Sequence, residues 1–547
     1  MLDQLIARTA QLGSLPRLAR IRAQPHEAQA RLLRGLLHAA RATEWGRRYG
    51  YGERPTAAEF ARRVPASTYE QLYPELEKVL RGQPDVLWPG RPDWFAKSSG
   101  TTNARSKFIP VTRAALHEGH YRAGRDMLAL STHLYPHERL LAGKTLSLGG
   151  ALGPNPFRPQ EPAARVGDVS AVIMAQLPGW AEGLRTPPLP LALLEEWEEK
   201  IERIARHVLQ QDVRVLAGVP TWMVVLLRRV VALAGAADIT EVWPQLRLFL
   251  HGAVAFGPYR ELFRQLIPGG HMRYLEIYNA SEGYFALQDQ PDSEDLLLLL
   301  DHGIYYEFLP ADQWAAPDPC PIPLAEVVLG QAYALVISTN AGLWRYVVGD
   351  TVRFTSLAPY RVRITGRTKH FLNAFGEEVV IEHAEAAVAA ACRATGLAVR
   401  DFTAAPVWFA AGLAASRGGH EWAVEFAGGP APDLARFGAV LDASLCALNS
   451  DYAAKRHRGL ALAPPRLHAV PPGTFEAWLA RQGKLGGQHK VPRLLNSREV
   501  LEAVLHDGAT AATAIGLVVL RFLRLYNYGD SNAEPAWPAL NQVCAGR

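Results

Sequence analysis

The stretch from residue 344 to 380 holds residue types that nucleotide chemistry needs. An apolar segment runs into Gly349-Asp350, and after a polar bridge a second segment opens with Gly366-Arg367. Glycine tolerates positive φ, so a tight corner there would aim the Asp350 carboxylate at both hydroxyls of a ribose. Arginine offers a rigid fork of donors for phosphate or ribose oxygens. The stretch therefore predicts a nucleotide site at a domain junction; a salt-bridged hairpin is the purely structural alternative.

A second candidate is a hydroxyl-rich loop near residue 100. Its small residues and the cations that follow them are Ser98, Ser99, Gly100, Thr101, Thr102, Arg105 and Lys107. Backbone N–H groups, hydroxyls and cations can all donate to one anion, so the composition suits phosphate. The spacing of a Walker loop is absent, and a plain Ser/Thr-rich turn is the alternative.

The third candidate follows a predicted strand over 272–278 and reads Asn279-Ala280-Ser281-Glu282-Gly283. Strands predicted at 213–220 and 246–251 precede it, with a helix at 221–234 between them. Strands that alternate with helices favour an α/β domain, in which ligands bind at the carboxyl ends of the strands. We therefore expect the three polar motifs to lie at one edge of a sheet.

The domain organisation follows from length and from a change in composition. A chain of 547 residues exceeds what one hydrophobic core supports. After residue 366 short elements follow, with helices predicted at 382–396, 433–449, 474–481 and 497–505 and strands at 399–410 and 421–427. We expect an N-terminal domain over 1–364, a small α+β C-terminal cap over 365–506 and an extra helical tail over 507–547. An apolar helix at 511–526 would pack on the cap or on a second copy in a homodimer.

Composition excludes several classes of function. The chain is 49% apolar and 20% charged, and its net charge of +5 comes from scattered arginines, which argues against nucleic acid. The most apolar run, 213–237, is broken by Pro220 and Arg228-Arg229, so no membrane span is expected. The cysteines lie far apart and without metal spacing, which fits a cytoplasmic protein. They are Cys320, Cys392, Cys446 and Cys544.

The motifs occur together in an order that resembles the Gretchen Hagen family, the acyl-acid amido synthetases of plant auxin and jasmonate metabolism. The segments that carry the resemblance are 98–102 with Lys107, 278–283, 344–350 and 366–369. It extends over about residues 30 to 505, and the family is similar to the wider adenylate-forming superfamily. The resemblance implies a large N-terminal α/β domain that holds a β-barrel, with a small mobile α+β C-terminal cap.

The resemblance also implies a reaction. ATP and Mg²⁺ would convert a carboxylic acid to an acyl-adenylate and pyrophosphate, and an amino acid or other amine would then displace AMP to form an amide. An acyl-CoA ligase, or another adenylate-forming ligase, shares the first step and is one alternative. A non-catalytic nucleotide- or acyl-binding protein is the other.

Residue roles carry over from the resemblance by motif. Ser98, Ser99, Thr101 and Thr102 would hold the phosphates, Tyr278 would lie against adenine, and Ser281 would contact the α-phosphate. Glu282 would bind Mg²⁺, Asp350 the ribose hydroxyls, and Arg367 a phosphate or ribose oxygen. Lys490 of the cap would draw charge off the α-phosphate. An apolar acyl pocket is expected to include Val219, Val254 and Tyr274. A helix predicted over 113–131 would also line it, with Tyr121 and Arg122 as contacts of the acid's carboxylate.

Two positions depart from the family pattern. Val347 stands where relatives often carry arginine, so one contact is missing or is supplied by Arg345. Glu377 lies in a stretch where some plant members carry a phosphate-contacting lysine, which directs attention to Lys490 instead.

Overall fold

The structure is a computed structural model, and it describes residues 2–98, 107–254, 256–314, 316, 318–368, 371–408, 418–427, 432–457, 461–482 and 491–508. Four predicted site residues lie outside the described residues: Ser99, Thr101, Thr102 and Lys490. The backbone of Ser98 is described and its side chain is not. The predicted helix at 511–526 also lies outside the described part of the chain.

Seventeen α-helices have both ends within the described residues. They are α1 Leu2–Ala23, α2 Pro25–Ala40, α3 Glu44–Arg48, α4 Ala57–Arg63, α5 Tyr69–Leu80, α6 Tyr121–Leu134, α7 Val169–Ala175, α8 Gly179–Glu182, α9 Leu189–Ala192, α10 Trp197–Val208, α11 Pro220–Ala234, α12 Ile239–Val242, α13 Arg260–Leu266, α14 Ile381–Thr395, α15 Leu434–Leu448, α16 Ser450–Arg456 and α17 Thr474–Arg481. Residues 499–508 are also helical. None of the described helices combines the length and the hydropathy that crossing a bilayer would require.

Twenty-one strands are described. They are β1 Trp94–Ser98, β2 Lys107–Pro110, β3 Lys144–Ser147, β4 Leu152–Pro154, β5 Arg165–Gly167, β6 Arg185–Thr186, β7 Val213–Gly218, β8 Leu248–His251, β9 Arg273–Ala280, β10 Gly283–Gln288, β11 Leu296–Leu298, β12 Ile304–Pro310, β13 Ile322–Pro323, β14 Ala332–Thr339, β15 Tyr346–Leu357, β16 Tyr360–Arg367, β17 Phe371–Leu372, β18 Val379–Val380, β19 Val399–Val407, β20 Gly419–Phe426 and β21 Arg466–Val470.

The largest sheet has twelve strands in the order β13-β12-β14-β15-β16-β11-β10-β9-β8-β7-β3-β6. The strands from β9 to β6 are parallel, and those from β10 to β13 pair antiparallel. A four-stranded sheet in the order β2-β1-β5-β4 lies beside it in the chain's N-terminal part. This mixed α/β architecture confirms the predicted fold class.

Local sequence explains the crossover helix α11. Pro220 occupies its first turn, where the missing N–H would have no partner in any case. Gly235 ends it in the left-handed conformation with φ +64°, which glycine adopts without steric cost. The helix packs a row of fully buried side chains against the parallel strands, among them Met223, Leu226 and Leu227.

The C-terminal part contains the three-stranded sheet β19-β20-β21 with α14 and α15 packed beside it. Its core is continuous with that of the parallel strands, because one hydrophobic cluster includes Phe249 and Phe256 as well as Phe375, Ala384 and Trp422. The two parts of the chain therefore share buried apolar surface.

Three predicted elements differ from the structure. The segment expected as one helix over 113–131 begins with a π-helical turn, Ala115–His120, before α6. The strand expected over 399–410 ends at Val407. Gly349-Asp350 does not end a strand but lies inside β15, where Gly349 adopts φ +93°.

Candidate active site

The hairpin of β9 and β10 presents the third motif. Gly283 pairs with Ala280 across the hairpin, so Ser281 and Glu282 form the two-residue turn between the strands. Gly283 has φ +157°, and a Cβ at this position would lie 2.5 Å from Cδ1 of Ile304. A side chain here would force the end of Ile304 to shift and would strain the backbone, which favours glycine after Glu282.

Tyr278, Asp350 and Arg367 form a hydrogen-bonded group beside that turn. The Tyr278 hydroxyl donates to Oδ2 of Asp350 at 2.7 Å, and Nε of Arg367 donates to Oδ1 at 2.7 Å. Asp350 and Arg367 face each other across β15 and β16, so the sheet register sets their contact. The structure therefore brings together three residues that the sequence predicted for one nucleotide site.

Arg367 also joins this group to the C-terminal part. Its guanidinium contacts the Glu378 carboxylate at 3.2 Å and lies 5.1 Å from the centre of the Phe371 ring. Burial alone would lower the pKa of Arg367, but the carboxylates of Glu378, Asp350 and Glu282 raise it. Arg367 thus remains a cation at a point where both parts of the chain meet.

A buried lysine lies near Glu282. Nζ of Lys107 is 3.5 Å from the Tyr346 hydroxyl, which lies 3.4 Å from Oε1 of Glu282. The same ammonium lies over the ring of Tyr69 at 5.6 Å. Lys107 opens β2, directly after the hydroxyl-rich loop, and pairs in register with Ser98 of β1. The ends of the loop are therefore fixed beside the third motif.

Burial shifts the pKa values of the ionisable side chains in this group. Burial raises the pKa of the Glu282 carboxyl, and the Lys107 ammonium opposes that shift. Burial lowers the pKa of Lys107, and Glu282 opposes that shift in turn. Burial, together with the Asp350 carboxylate, raises the pKa of Tyr278 well above its ordinary value, so its hydroxyl stays protonated and donates.

Glu282 suits a single-carboxylate magnesium site. In the described ranges no group of three or more His, Cys, Asp or Glu side chains forms a metal cage. Mg²⁺ commonly binds through one or two carboxylates, with substrate phosphates and waters completing its octahedron. A dication would favour the ionised form of a carboxyl whose pKa burial raises.

Three of the predicted acyl-pocket residues share one apolar cluster. Val254 is buried, and Val219 and Tyr274 pack partly buried against the same core. The rings of Tyr274 and Phe256 lie 4.9 Å apart, and Phe256 stacks on His251 at 4.0 Å. Val219 and Val254 follow the carboxyl ends of β7 and β8, the edge at which ligands bind in such sheets.

Tyr121 and Arg122 lie elsewhere. The Tyr121 hydroxyl donates to the carbonyl of Ile173 at 3.2 Å, and its side chain lines a separate groove with Trp88 and His117. Nη1 of Arg122 donates to the Asp301 carbonyl at 2.8 Å. The structure thus does not bring this pair together with the other three pocket residues.

Arg345 and Glu377, the residues named at the two departures from the family pattern, are both buried and paired within the chain. Arg345 is buried and pairs with Glu307 at 2.9 Å, while its Nη1 donates to two backbone carbonyls. Arg345 is therefore not available to replace the arginine missing at Val347, and of the two expected alternatives the missing contact is left. Glu377 is also buried; it pairs with His420 at 2.8 Å and accepts N–H groups of its own turn.

Two residues at this site were missed by the sequence reasoning. Glu378, next to Glu377, is the partner of Arg367, and only the tertiary contact distinguishes it from its neighbour. His120 ends the π-helical turn beside Asn279, where burial lowers its pKa to about 4. A π-turn is a common sign of a functional position, but the sequence pattern of 113–131 is that of an ordinary helix.

Comparison with known proteins identifies the family. Domain models of the GH3 family match residues 14–272 for the N-terminal domain, 297–367 for the central domain and 382–499 for the C-terminal domain. The chain belongs to the GH3 family. The resemblance predicted from the four motifs is confirmed.

Named GH3 relatives are amido synthetases. The indole-3-acetic acid-amido synthetase GH3.8 of Oryza sativa subsp. indica is 30% identical over 290 residues, which span 49% of this chain and 46% of the relative. The probable indole-3-acetic acid-amido synthetase GH3.4 of Oryza sativa subsp. japonica is 27% identical over 91% of this chain and 90% of its own length.

Two solved structures share the fold. GH3.15 acyl acid amido synthetase is 18% identical and covers 90% of this chain and 95% of its own, with a TM-score of 0.56. A 2-hydroxyisobutyryl-CoA ligase in complex with 2-HIB-AMP and CoA is 14% identical and covers 88% of this chain and 92% of its own, with a TM-score of 0.50. The fold of this GH3 member is that of the adenylate-forming ligases.

Proposed function

We propose that this GH3 member is an ATP-dependent acyl-acid amido synthetase. It adenylates a carboxylic acid and then transfers the acyl group to an amino acid or another amine. The observation that carries the proposal is the group of Tyr278, Asp350 and Arg367 beside the turn that holds Glu282. The named relatives, which are amido synthetases, support the same assignment.

In the first step an oxygen of the acid's carboxylate attacks the α-phosphorus of ATP, and the bond to pyrophosphate breaks. Ser98, Ser99, Thr101 and Thr102 would hold phosphate oxygens, with Ser281 at the α-phosphate. The Asp350 oxygens keep lone pairs beyond those that Tyr278 and Arg367 use, so they can also accept ribose hydroxyls. Bound Mg²⁺, held by Glu282, would neutralise phosphate charge, and Lys490 would add a cation from the cap.

In the second step the amine nitrogen attacks the acyl carbon. A C–N bond forms, the C–O bond to phosphate breaks and AMP leaves; two of the three ammonium protons pass to solvent, one before the attack and one after it, and the third stays on the amide nitrogen. Because attack needs the neutral amine, amide formation should speed up with rising pH. The acid would lie against Val219, Val254 and Tyr274, whose apolar surroundings favour an aromatic or alkyl acid. Arg122 could meet its carboxylate only by leaving the Asp301 carbonyl.

Pyrophosphate release across a panel of carboxylic acids tests the first step. We expect release that depends on the acid and on Mg²⁺, and its loss in Glu282→Ala. Asp295→Ala, which removes an exposed partner of Arg363, serves as the control and should retain release. Lack of release with every acid would contradict an adenylating enzyme.

The product tests the second step. The activated acid is offered coenzyme A or a mixture of amino acids, and the products are identified by mass. An N-acyl amino acid is expected. A thioester without any amide would leave the adenylation step standing and replace the amido synthetase with an acyl-CoA ligase.

A further inference from the structure

A turn in the C-terminal part carries Glu378 to the nucleotide group. Residues 373–378 join β17 to β18, and these two strands pair with each other. Within the turn Gly376 has φ +80° and Glu378 has φ +42°. Positive φ is uncommon for a residue other than glycine, and it persists only where the surroundings fix it. The contact of Glu378 with Arg367 therefore depends on what holds this turn.

Glu377 holds the turn from within. Its carboxylate is fully buried, Oε1 accepts the N–H of Ala374 at 3.1 Å, and Oε2 accepts that of Phe375 at 2.6 Å. Asn449, which caps α16, donates from Nδ2 to the backbone carbonyls of Glu377 and Glu378 at 2.8 and 3.0 Å. These hydrogen bonds specify the backbone that carries the positive φ of Glu378.

The charge of Glu377 is balanced by the three-stranded sheet. Nε2 of His420 in β20 donates to Oε1 of Glu377 at 2.8 Å, and the imidazole is almost fully buried as well. Burial alone would raise the pKa of Glu377, but His420 and the N–H groups of the turn hold it below its usual range. A buried carboxylate that loses such a partner is strongly destabilised. His420 therefore keeps the ionised Glu377 inside the turn.

The turn in this way determines how Asp350 is oriented. The last torsion of an aspartate side chain has a broad range of angles, so its carboxylate keeps one orientation only where its oxygens are held. Tyr278 holds Oδ2 and Arg367 holds Oδ1, each at 2.7 Å. Arg367 has a long side chain, and its guanidinium is fixed in turn by Glu378 at 3.2 Å. A path of contacts thus leads from the turn to the carboxylate that would accept the ribose hydroxyls.

We propose that Glu377 and His420 are positioning residues that set the selectivity of this site for ribonucleotides. By holding Glu378 against Arg367, they keep Asp350 aligned for the hydroxyls of the ribose. A nucleotide without the 2′-hydroxyl can use only part of that alignment. This inference rests on the proposed function and adds to it two residues of the C-terminal part that act through other side chains.

The test compares ATP with 2′-deoxy-ATP in pyrophosphate release by the full-length protein, with one acid throughout. The quantity measured is the ratio of the two kcat/KM values, in which effects on the phosphates, on the acid and on the amount of folded enzyme cancel. The unmodified protein should prefer ATP by about tenfold or more, as expected for one hydrogen bond to a charged group. Glu377→Gln should reduce this ratio by about threefold or more, because the turn loses its ionised anchor.

Glu425→Gln is the matched control. Glu425 is also a buried carboxylate of β20, and it accepts the N–H groups of Gly473 and Phe475 at 2.9 and 3.2 Å. It fixes a different turn, at the start of α17, so its loss should lower stability and leave the ratio unchanged. His420→Leu should reduce the ratio as Glu377→Gln does. His420→Gln, whose side-chain amide can still donate to Glu377, should restore most of it.

A double-mutant cycle shows whether Glu377 acts through Glu378. Glu378→Gln alone should reduce the ratio by about threefold or more, and addition of Glu377→Gln should reduce it little further. If Glu377→Gln yields no folded protein, His420→Leu takes its place in the cycle.

Four results would overturn the inference: an unmodified protein that uses both nucleotides equally, an unchanged ratio in Glu377→Gln, effects of Glu377→Gln and Glu378→Gln that multiply independently, or a reduced ratio in Glu425→Gln. Absence of pyrophosphate release from the unmodified protein with every acid would instead overturn the proposed function itself.

Discussion

Asp350 shows how much one side chain at this site depends on its neighbours. Its two oxygens are held by Tyr278 and Arg367, and Arg367 is held in turn by Glu378. Truncation of Asp350 would therefore release a buried tyrosine hydroxyl and a buried guanidinium together. The sequence predicted three of these residues, because a Gly-Asp pair, a Gly-Arg pair and a strand end are local patterns. It could not predict Glu378, which differs from Glu377 only in the direction its side chain takes.

Glu282 and Lys107 give a prediction about pH. Binding of Mg²⁺ needs the ionised Glu282, and burial raises the pKa of this carboxyl above its ordinary value of 4.5. Pyrophosphate release at limiting Mg²⁺ should therefore fall as pH decreases through the midpoint at which Glu282 becomes protonated, and more Mg²⁺ should move that midpoint to lower pH. The positive charge of Lys107 lowers the pKa of Glu282, so Lys107→Gln should move the midpoint to higher pH.

The measurement is pyrophosphate release against pH for the unmodified protein and for Lys107→Gln, with one acid throughout. Lys144→Gln changes a half-buried lysine of β3 whose Nζ donates to the Gly183 carbonyl, and it should keep the original midpoint. If Lys107→Gln had the same midpoint as the unmodified protein, Lys107 would not influence the ionisation of Glu282.

The sequence predicts some of the elements that carry the site residues, but not all of them. The bounds of α11 and α17 follow closely from apolar periodicity, proline and glycine. The π-turn before α6 and the left-handed Gly349 inside β15 do not, because both depend on what packs against them. The site residues they carry, His120 and Asp350, therefore lie in backbone conformations that the sequence pattern alone does not indicate.

The N-terminal helix α1 is fixed by a buried ionic group. Arg17 contacts Asp126 of α6 and also Asp301, and His302 lies 2.8 Å from Asp126 and 2.9 Å from Asp301. Burial alone would raise the pKa of Asp126, but His302 and Arg17 hold it below its usual range. Asp126→Asn should lower the free energy of unfolding at neutral pH by about 3–5 kcal/mol, as loss of one partner of a buried pair does.

The effect should depend on pH with a defined sign. A carboxyl whose folded-state pKa is depressed contributes stability above its unfolded pKa of about 3.9, and this contribution is lost as pH falls through the folded value. Urea unfolding should show a large difference between the two proteins at pH 7 and a shrinking one below about pH 4. Glu27→Gln, which removes an exposed pair with Arg31 on α2, should change stability by less than about 1 kcal/mol. An equal difference at every pH would exclude the ionised Asp126 as the source.

At the scale of the whole molecule, the nucleotide group lies where the twelve-stranded sheet meets the C-terminal part. Arg367, which ends β16 of that sheet, contacts Glu378, and Lys455 of α16 lies against Trp222 of α11. A change in the relative orientation of the two parts would therefore alter the nucleotide group. The motif order in the sequence predicted the family and a separate cap, but not these contacts, since their partners are distant in the chain.

Tyr259 offers a way to test whether orientation matters. Its buried hydroxyl donates to the Ala374 carbonyl at 2.5 Å and lies 3.0 Å from the Thr221 hydroxyl, and its ring meets Trp408 edge-on at 5.8 Å. Tyr259→Phe removes a hydrogen bond between the two parts that is worth about 0.5–1.5 kcal/mol, so this orientation should become two- to tenfold less populated relative to others. The half-reaction that uses it should slow by that factor, and the other should not.

Pyrophosphate release in a single turnover reports the first half-reaction, and amide formation from preformed acyl-adenylate reports the second. Tyr333→Phe is the matched control, because its hydroxyl accepts the N–H of Val328 within the N-terminal part and spans no boundary. That variant should leave both half-reactions unchanged. Equal slowing of both half-reactions by Tyr259→Phe would show that this hydrogen bond stabilises the folded protein as a whole. The observed orientation of the two parts would then not be specific to either half-reaction.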